Sequence, residues 1–137
     1  MKMIALDLEA SLIDNAMMGN PRPGLFSFLE FCIEHFDRIS LLTTVDEDDA
    51  REVIHDLIDA GKIPGEFANV EYIDWQGEHK DLRYAKNASP DQILFLDDDR
   101  GWVHPEQLDR WIPILPWTSG DDSELEKTKL LILDRLR

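Results

Sequence analysis

The chain has 137 residues, 43% of them hydrophobic, and a formal net charge of −15. This length predicts a single domain over residues 1–137 with one sizeable core. The dense negative charge repels nucleic-acid backbones and anionic membranes, and no apolar run is long enough to span a bilayer. Cys32 is the only cysteine, which excludes an intramolecular disulfide and a thiolate zinc cluster. The first residues reach a carboxylate too early for a secretory signal, so we expect a cytoplasmic protein that binds neither nucleic acid nor membrane.

Strand and helix patterns alternate along the first half of the chain. The apolar run Met3 to Leu6 predicts a buried strand, and an apolar stripe from Leu25 to Phe36 predicts a helix. Ile39 to Leu42 predicts the second strand. The acidic segment Asp46 to Asp49 opens a second helix, for which Gly61 is the natural stop. Such alternation is typical of a parallel sheet with helices on both faces.

The second half of the chain continues this alternation less regularly. Val70 to Trp75 has strand composition without clean alternation, and Lys80 to Lys86 predicts one or two helical turns. Ile93 to Leu96 predicts another buried strand. Ile112 to Leu115 contains a proline and is followed by one, so it predicts only an edge strand or extended segment. Ser123 to Glu126 has capping-box form and opens a C-terminal helix.

Three of these predicted strands end in polar residues suited to phosphate chemistry: Asp7, Thr43 and the triplet Asp97 to Asp99. Ligands of open α/β sheets bind beyond the carboxyl ends of the strands. Asp7 and Glu9 are two residues apart in an extended segment and therefore point to the same side. One carboxylate could attack while the other handles protons, although acidic pairs after strands are usually solvated.

The acidic triplet and two single residues have two interpretations each. Adjacent carboxylates at Asp97 to Asp99 repel one another, so their burial needs a cation, and oxygen ligands suit Mg²⁺. The alternative is an exposed acidic turn paired with Arg100. Thr43 is either a phosphate donor or simply a β-branched strand residue. Lys80 either bridges a nucleophile and a phosphate or is solvated, as most lysines are.

The order of these residues resembles a known superfamily. Asp7-x-Glu9, Thr43, Lys80 and Asp97-Asp98 resemble, in sequence, the four motifs of the haloacid dehalogenase (HAD) phosphohydrolases. A receiver domain of a response regulator also uses acids, Thr and Lys, but there the acid pair comes early and the lysine last. In this chain the acid cluster follows the lysine, which argues against a receiver domain. Further segments are similar to the NLI-interacting-factor branch, which contains phosphatases of the RNA polymerase II C-terminal domain: Arg22 to Leu29, Leu42 to Thr44, Lys80 to Leu82, Leu96 to Asp98, His104 to Glu106 and Pro113 to Trp117.

The resemblance implies a three-layer HAD-like (Rossmannoid) α/β fold and a Mg²⁺-dependent phosphatase. Asp7 would attack phosphorus and form an aspartyl-phosphate. Glu9 would protonate the leaving group and later activate water. Thr43 would hold phosphate oxygens, and Lys80 would steady both Asp7 and the transferring group.

The resemblance also implies a metal site. Mg²⁺ would be bound by Asp7, by the main-chain carbonyl of Glu9 and by Asp98, with Asp97 close to the ion or just behind its ligands. Only 36 residues separate Asp7 from Thr43, and 37 separate Thr43 from Lys80. These intervals leave no room for a large cap domain, so we expect an open site for a phosphorylated protein or another bulky phosphoester.

The first motif departs from the superfamily pattern. Asp-x-Asp-x-Thr is usual, whereas this chain has Asp7-Leu-Glu-Ala-Ser11. The additional methylene of Glu9 moves the acid by over an ångström, and misplacement on that scale costs about 10²-fold in rate. We therefore expect a slow phosphatase, and the alternative is a catalytically weak HAD-fold module that binds a partner. A dehalogenase is disfavoured because such chemistry usually lacks the second acid.

Overall fold

A five-stranded sheet forms the centre of the computed structural model, which describes residues 1–137. Its strands, in chain order, are β1 (Met3–Leu6), β2 (Arg38–Leu41), β3 (Glu71–Tyr72), β4 (Ile93–Asp97) and β5 (Trp111–Pro113). Their order across the sheet is β3-β2-β1-β4-β5, and every neighbouring pair is parallel. β1 is therefore the central strand, and its carboxyl end lies between those of β2 and β4.

All three α-helices pack on one face of the sheet: α1 (Leu25–His35), α2 (Glu47–Asp59) and α3 (Glu124–Arg135). Side chains alternate along a strand, so Ile4 and Leu6 of β1 point to this face together with Leu94 and Leu96 of β4. With the apolar stripes of the helices they form a core cluster of 24 buried residues. The predicted helices thus form because each has a stripe of apolar side chains to bury.

The opposite face is covered by loops and short 3₁₀ helices. Met3, Ala5 and Phe95 point to it and belong to a second cluster of nine buried residues, which also contains Leu82 and Val103. The covering segments include 3₁₀ helices at Leu82–Tyr84, Arg100–Trp102 and Pro105–Arg110. Both faces of the sheet are therefore buried, and the predicted three-layer, Rossmann-like α/β class is confirmed.

Two local predictions differ from the structure. The strand predicted from Val70 to Trp75 is limited to β3. At Trp75 the indole N–H, and not the backbone N–H, donates to the Thr43 carbonyl at 2.8 Å. At the start of α3, Ser123 makes no side-chain capping hydrogen bond. Asp122 instead accepts from the Glu124 backbone N–H at 3.2 Å, while it also binds a distant arginine. The Asp122 carboxylate thus caps α3 in place of the predicted Ser123 capping box.

The connections between strands hold no additional domain. Between β1 and β2 lie a loop and α1, and between β2 and β4 lie α2, β3 and short 3₁₀ helices. The carboxyl ends of the strands therefore have no large cap over them, as predicted. None of the helices combines the length and the apolar composition that a bilayer crossing requires.

Candidate active site

The sheet register brings the first and last acidic motifs together. Leu6 of β1 is paired with Leu96 of β4, so the next residues along the two strands, Asp7 and Asp97, are neighbours. The Asp7 backbone N–H donates to the Leu96 carbonyl at 2.9 Å, which continues the ladder to the end of β1. Asp7 and Asp97 are both buried. Two carboxylates thus lie side by side at the carboxyl edge of the sheet.

Lys80 joins these two carboxylates. Its Nζ donates to Asp7 Oδ1 at 2.9 Å and to Asp97 Oδ2 at 2.7 Å, and the lysine is only 2% exposed. The Lys80 backbone N–H donates to the Trp102 carbonyl at 2.8 Å, and the ammonium lies 5.7 Å from the centre of the Trp102 ring. The centre of the Phe95 ring lies 5.9 Å from the same ammonium. The aromatic rings and the two acids fix the ammonium in one position.

Asp98 and Ser11 complete the group of polar side chains around Asp7. The Ser11 hydroxyl lies 2.8 Å from Asp7 Oδ2 and 3.2 Å from Asp98 Oδ1. One oxygen from each of Asp7, Asp97 and Asp98 lies within 4.8 Å of the other two. Asp97 is fully engaged, because its second oxygen accepts from the Asp99 backbone N–H at 2.8 Å. The carboxylate oxygens of Asp7 and Asp98 are therefore better placed than those of Asp97 to bind a metal ion.

The charges in this group are not balanced by the protein alone. Burial raises the pKa of Asp7 to about 8, and the neighbouring Asp97 adds to that rise while Lys80 opposes it. Burial also raises the pKa of Asp97 against the opposing effect of Lys80. Burial by itself would lower the pKa of Lys80, but the two carboxylates outweigh it, so that its pKa is raised and it stays charged. One ammonium faces three carboxylates, so the group favours an additional positive charge.

The donor set fits a hard divalent cation. Carboxylate oxygens in a cluster of this size suit Mg²⁺ or Ca²⁺, whereas no His or Cys belongs to the cluster to attract a softer metal. The main-chain carbonyl of Glu9 accepts no main-chain hydrogen bond, so its oxygen is available to a ligand. The residues present therefore fit a metal ion held at Asp7 and Asp98.

Glu9 and Thr43 lie just beyond the ends of β1 and β2. The half-buried Glu9 carboxylate accepts from the Ala16 backbone N–H at 2.7 Å, which ties it to the loop that precedes α1. The buried Thr43 hydroxyl oxygen accepts from the Val45 N–H at 3.1 Å, which leaves its hydrogen free to donate. The Glu9 carboxyl and the Thr43 hydroxyl make no hydrogen bond with Asp7, Lys80, Asp97 or Asp98.

Sequence reasoning missed the residue that holds the loop after β1, which contains Ala10 and Ser11. Arg22 is 1% exposed, and its Nη1 donates to the carbonyls of Ala10 and Ser11, both at 3.2 Å. Its Nε and Nη2 bind the Asp122 carboxylate at 2.7 and 3.1 Å. The only signal in the sequence was the Arg-Pro-Gly segment in the resemblance, because a partner 100 residues away leaves no local pattern.

The fold and the site together define the class of protein. A Rossmann-like parallel sheet whose central strand ends in an aspartate, salt-bridged by a lysine to a second acidic strand end, is the arrangement of the HAD-like superfamily. The family model described as "NLI interacting factor-like phosphatase" matches residues 2–137, so the chain belongs to this family of phosphatases within that superfamily. Comparison with individually curated proteins gives no match.

Proposed function

We propose that this protein is a Mg²⁺-dependent phosphatase that works through a covalent aspartyl-phosphate on Asp7. The observation that supports this most directly is the buried contact of Lys80 Nζ with Asp7 at 2.9 Å and with Asp97 at 2.7 Å. Positioning and charge neutralisation supply most of the catalysis in phosphoryl transfer. A carboxylate held between an ammonium and a hydroxyl suits that requirement.

In the first step an Asp7 carboxylate oxygen attacks the phosphorus atom of the substrate. A new O–P bond forms, and the bond between phosphorus and the leaving oxygen breaks. Glu9 gives its proton to that oxygen, so that the product leaves as an alcohol or a phenol. Lys80 and the Thr43 hydroxyl hold the phosphoryl oxygens during the transfer.

In the second step water removes the phosphate from Asp7. The Glu9 carboxylate, now without its proton, accepts a proton from the water as the water oxygen attacks phosphorus. The O–P bond to Asp7 breaks and inorganic phosphate is released. Asp7 and Glu9 return to their starting states, so the cycle balances without any other reactant.

Asp7, Asp98 and the Glu9 main-chain carbonyl would hold the Mg²⁺ ion, and Asp97 would hold Lys80 in place behind them. When bound, Mg²⁺ supplies positive charge that favours the ionised carboxylates and offsets the charge of the transferring phosphoryl group. This assignment is supported by the spacing of the three carboxylates and by the rise in the pKa of Asp7 through burial and its acidic neighbour.

The substrate we propose is a phosphorylated protein or another bulky phosphoester. The connections next to the site hold no inserted domain that would enclose a small metabolite. We also propose that residues 1–137 act as one domain and that the protein is cytoplasmic, binding neither nucleic acid nor membrane, in keeping with its charge of −15.

The experiment that tests this function is turnover of an aryl phosphate with and without Mg²⁺. Wild type is expected to be active only with the metal, and Asp7→Asn is expected to lose at least 10³-fold in kcat, because an amide does not attack phosphorus. Asp59→Asn makes the same chemical change at an exposed position at the end of α2 and serves as the control. Activity that survives in Asp7→Asn would rule out the covalent mechanism.

One observation favours a second function, a catalytically weak module that binds a partner. The Glu9 carboxylate is held by the Ala16 N–H at 2.7 Å, which restrains the group that has to transfer protons. Under this alternative the protein binds phosphorylated or unphosphorylated partners without splitting them. Absence of Mg²⁺-dependent turnover on aryl phosphates and phosphopeptides alike would favour it over the phosphatase.

A further inference from the structure

Two methionines are exposed on the loop between Glu9 and helix α1. Met17 is 93% exposed and Met18 is 65% exposed. Their loop is held by a local network of Asp14, Asn15 and Asn20, in which the Asp14 carboxylate accepts from the backbone N–H groups of Asn15 and Asn20 at 2.7 and 2.8 Å. The Asn15 side chain accepts from the Met18 N–H at 2.8 Å. These hydrogen bonds hold the loop backbone, which presents two large apolar side chains to solvent.

The methionine loop borders a cavity of about 400 Å³ against helix α2. Ala16, Met17 and Val53 supply its apolar wall. Three exposed acids of α2, Asp49, Glu52 and Asp56, supply the rest, and none of them is in an ion pair. The surface therefore combines apolar side chains with carboxylates that form no ion pair. We call these six residues, together with the neighbouring exposed Met18, the rim surface.

The rim surface is connected to the proposed catalytic residues on both sides. The Ala16 N–H donates to the Glu9 carboxylate at 2.7 Å, so the methionine loop is joined directly to the proton-transfer group. On the other side, α2 begins at Glu47, four residues after Thr43 at the end of β2. The rim surface therefore adjoins both the loop that contacts Glu9 and the helix that follows Thr43.

We propose that the rim surface docks the substrate chain, which is a phosphoprotein segment with an apolar side chain next to Lys or Arg. This inference rests on the proposed phosphatase function and names the class of its substrate. Methionine side chains adapt to different apolar partners, and the three unpaired carboxylates select for positive charge. A nucleic acid is disfavoured because its phosphates would face these acids. A second copy is disfavoured because each carries a net charge of −15.

The test measures binding and turnover on the same peptides. One peptide has phosphoserine flanked by Lys and Leu, and its partner has Glu and Ser at those positions; both are also made without phosphate. Wild type is expected to bind the Lys/Leu peptide at least tenfold more tightly in either form, and to lose this preference at high salt. Its kcat/KM for the phosphorylated forms should show the same preference.

Two double variants divide the surface into its apolar and acidic parts. Met17→Ser with Met18→Ser, and Glu52→Lys with Asp56→Lys, are each expected to lower affinity and kcat/KM for the Lys/Leu peptide about tenfold. Turnover of an aryl phosphate, which is too small to reach the surface, should not change. Glu30→Lys with Glu34→Lys makes the same charge change on exposed residues of α1, and Leu130→Ser removes an exposed apolar side chain of α3. These controls are expected to match wild type.

The two proposals fail in different ways. Lack of aryl phosphate turnover would reject the phosphatase, while the binding of the unphosphorylated peptides would still report on the rim surface. Equal affinity for the two peptides, or rim variants that bind like wild type, would overturn the docking proposal. A concentration-dependent dimer that Met17→Ser dissociates would overturn it too, in favour of a surface between copies.

Discussion

At the residue scale, the candidate site holds three acidic groups whose negative charges repel one another unless a cation is bound. Asp7 is buried beside Asp97 and Asp98, and only Lys80 offsets the three carboxylates. Such an arrangement costs folding free energy, because burial and like charges both disfavour the ionised acids. Under the proposed mechanism its benefit is chemical, since the proposed nucleophile and its positive partner are already in position before a phosphoester arrives.

Glu9 provides the sharpest test at this scale. In Glu9→Gln the amide oxygen can still accept from the Ala16 N–H, so the loop should keep its shape, but no proton can be donated. We expect kcat to fall about 10²- to 10⁴-fold for an alkyl phosphate, whose leaving oxygen needs a proton. For a nitrophenyl phosphate, whose leaving group is stable as an anion, the loss in the first step should be much smaller.

The measurement is single-turnover kinetics on both substrates, which isolates the first step. An equal loss on the alkyl and nitrophenyl esters would mean that Glu9 is not the proton donor. Circular dichroism and thermal unfolding of Glu9→Gln provide the control that the loop and the fold are intact.

At the element scale, a long-range ion pair joins the start of α3 to the loop that follows β1. Asp122, just before α3, accepts two hydrogen bonds from Arg22, which in turn holds the carbonyls of Ala10 and Ser11. Ala10 has a positive φ of 64°, a conformation that a residue with a Cβ adopts only when its surroundings hold it there. The conformation of the chain at Ala10 and Ser11 therefore depends on contacts at the start of α3, more than 100 residues later.

Removing that pair should destabilise the protein in a pH-dependent way. Asp122→Asn leaves a buried guanidinium without its counter-charge, so we expect a loss of about 3 kcal/mol in the free energy of unfolding at pH 7. The Arg22 hydrogen bond lowers the pKa of Asp122 below its ordinary value. The stabilisation is therefore present above about pH 4 and is lost as pH falls through the lowered pKa, where the difference between variant and wild type should shrink.

Urea unfolding from pH 7 down to pH 3 measures this difference. Asp134→Asn is the matched control, because Asp134 in the last turn of α3 pairs with Arg137 just beyond the helix while both side chains are largely exposed. It should cost no more than about 0.5 kcal/mol. A pH-independent loss in Asp122→Asn would contradict an electrostatic role for the pair.

The elements were predictable where their signal is local. The buried strand at Met3–Leu6, the acid-ended strand at Ile93–Asp97 and the helix at Leu25–His35 follow from runs and stripes that lie within each segment. The capping box at Ser123 was wrong because the Asp122 carboxylate, which also binds the distant Arg22, accepts from the Glu124 N–H in its place. The partner of Arg22 was not predictable either, because it lies 100 residues away.

At the scale of the whole molecule, the site depends on which strand ends are neighbours. Sequence patterns place Asp7 and Asp97 each at the end of a strand, but only the strand order makes them adjacent. The family resemblance implied that these strand ends meet at one site, and the match over residues 2–137 confirms the family. The residue roles, the metal and the compartment stay predictions, because neither the geometry nor the family match assigns them.

Metal binding should be visible in the stability of the whole protein. A ligand that binds only the folded state at about 100 times its Kd stabilises it by about 2.7 kcal/mol, so saturating Mg²⁺ should raise Tm by several degrees. Asp98→Asn should lose most of this rise. Asp99→Asn, in the same acidic triplet, should keep it, because its amide oxygen can still accept from the Gly101 N–H as Asp99 does at 2.8 Å.

Calorimetry with Mg²⁺ or with EDTA provides this comparison. If Asp98→Asn and wild type gained the same Tm from Mg²⁺, the ion would be held elsewhere on this acidic surface. If Asp99→Asn lost the rise as well, the cation would interact with the triplet as a whole and not at a defined site.

The most direct test is chemical trapping of the intermediate. Wild type mixed with an excess of phosphoester and Mg²⁺ is quenched in acid within one turnover, and the peptide that contains residue 7 is analysed by mass spectrometry. The mechanism predicts one added phosphoryl group on Asp7, removed by hydroxylamine and absent in Asp7→Asn. Rapid turnover with no phosphoryl group on this peptide, or with one on another residue, would contradict the central role of Asp7.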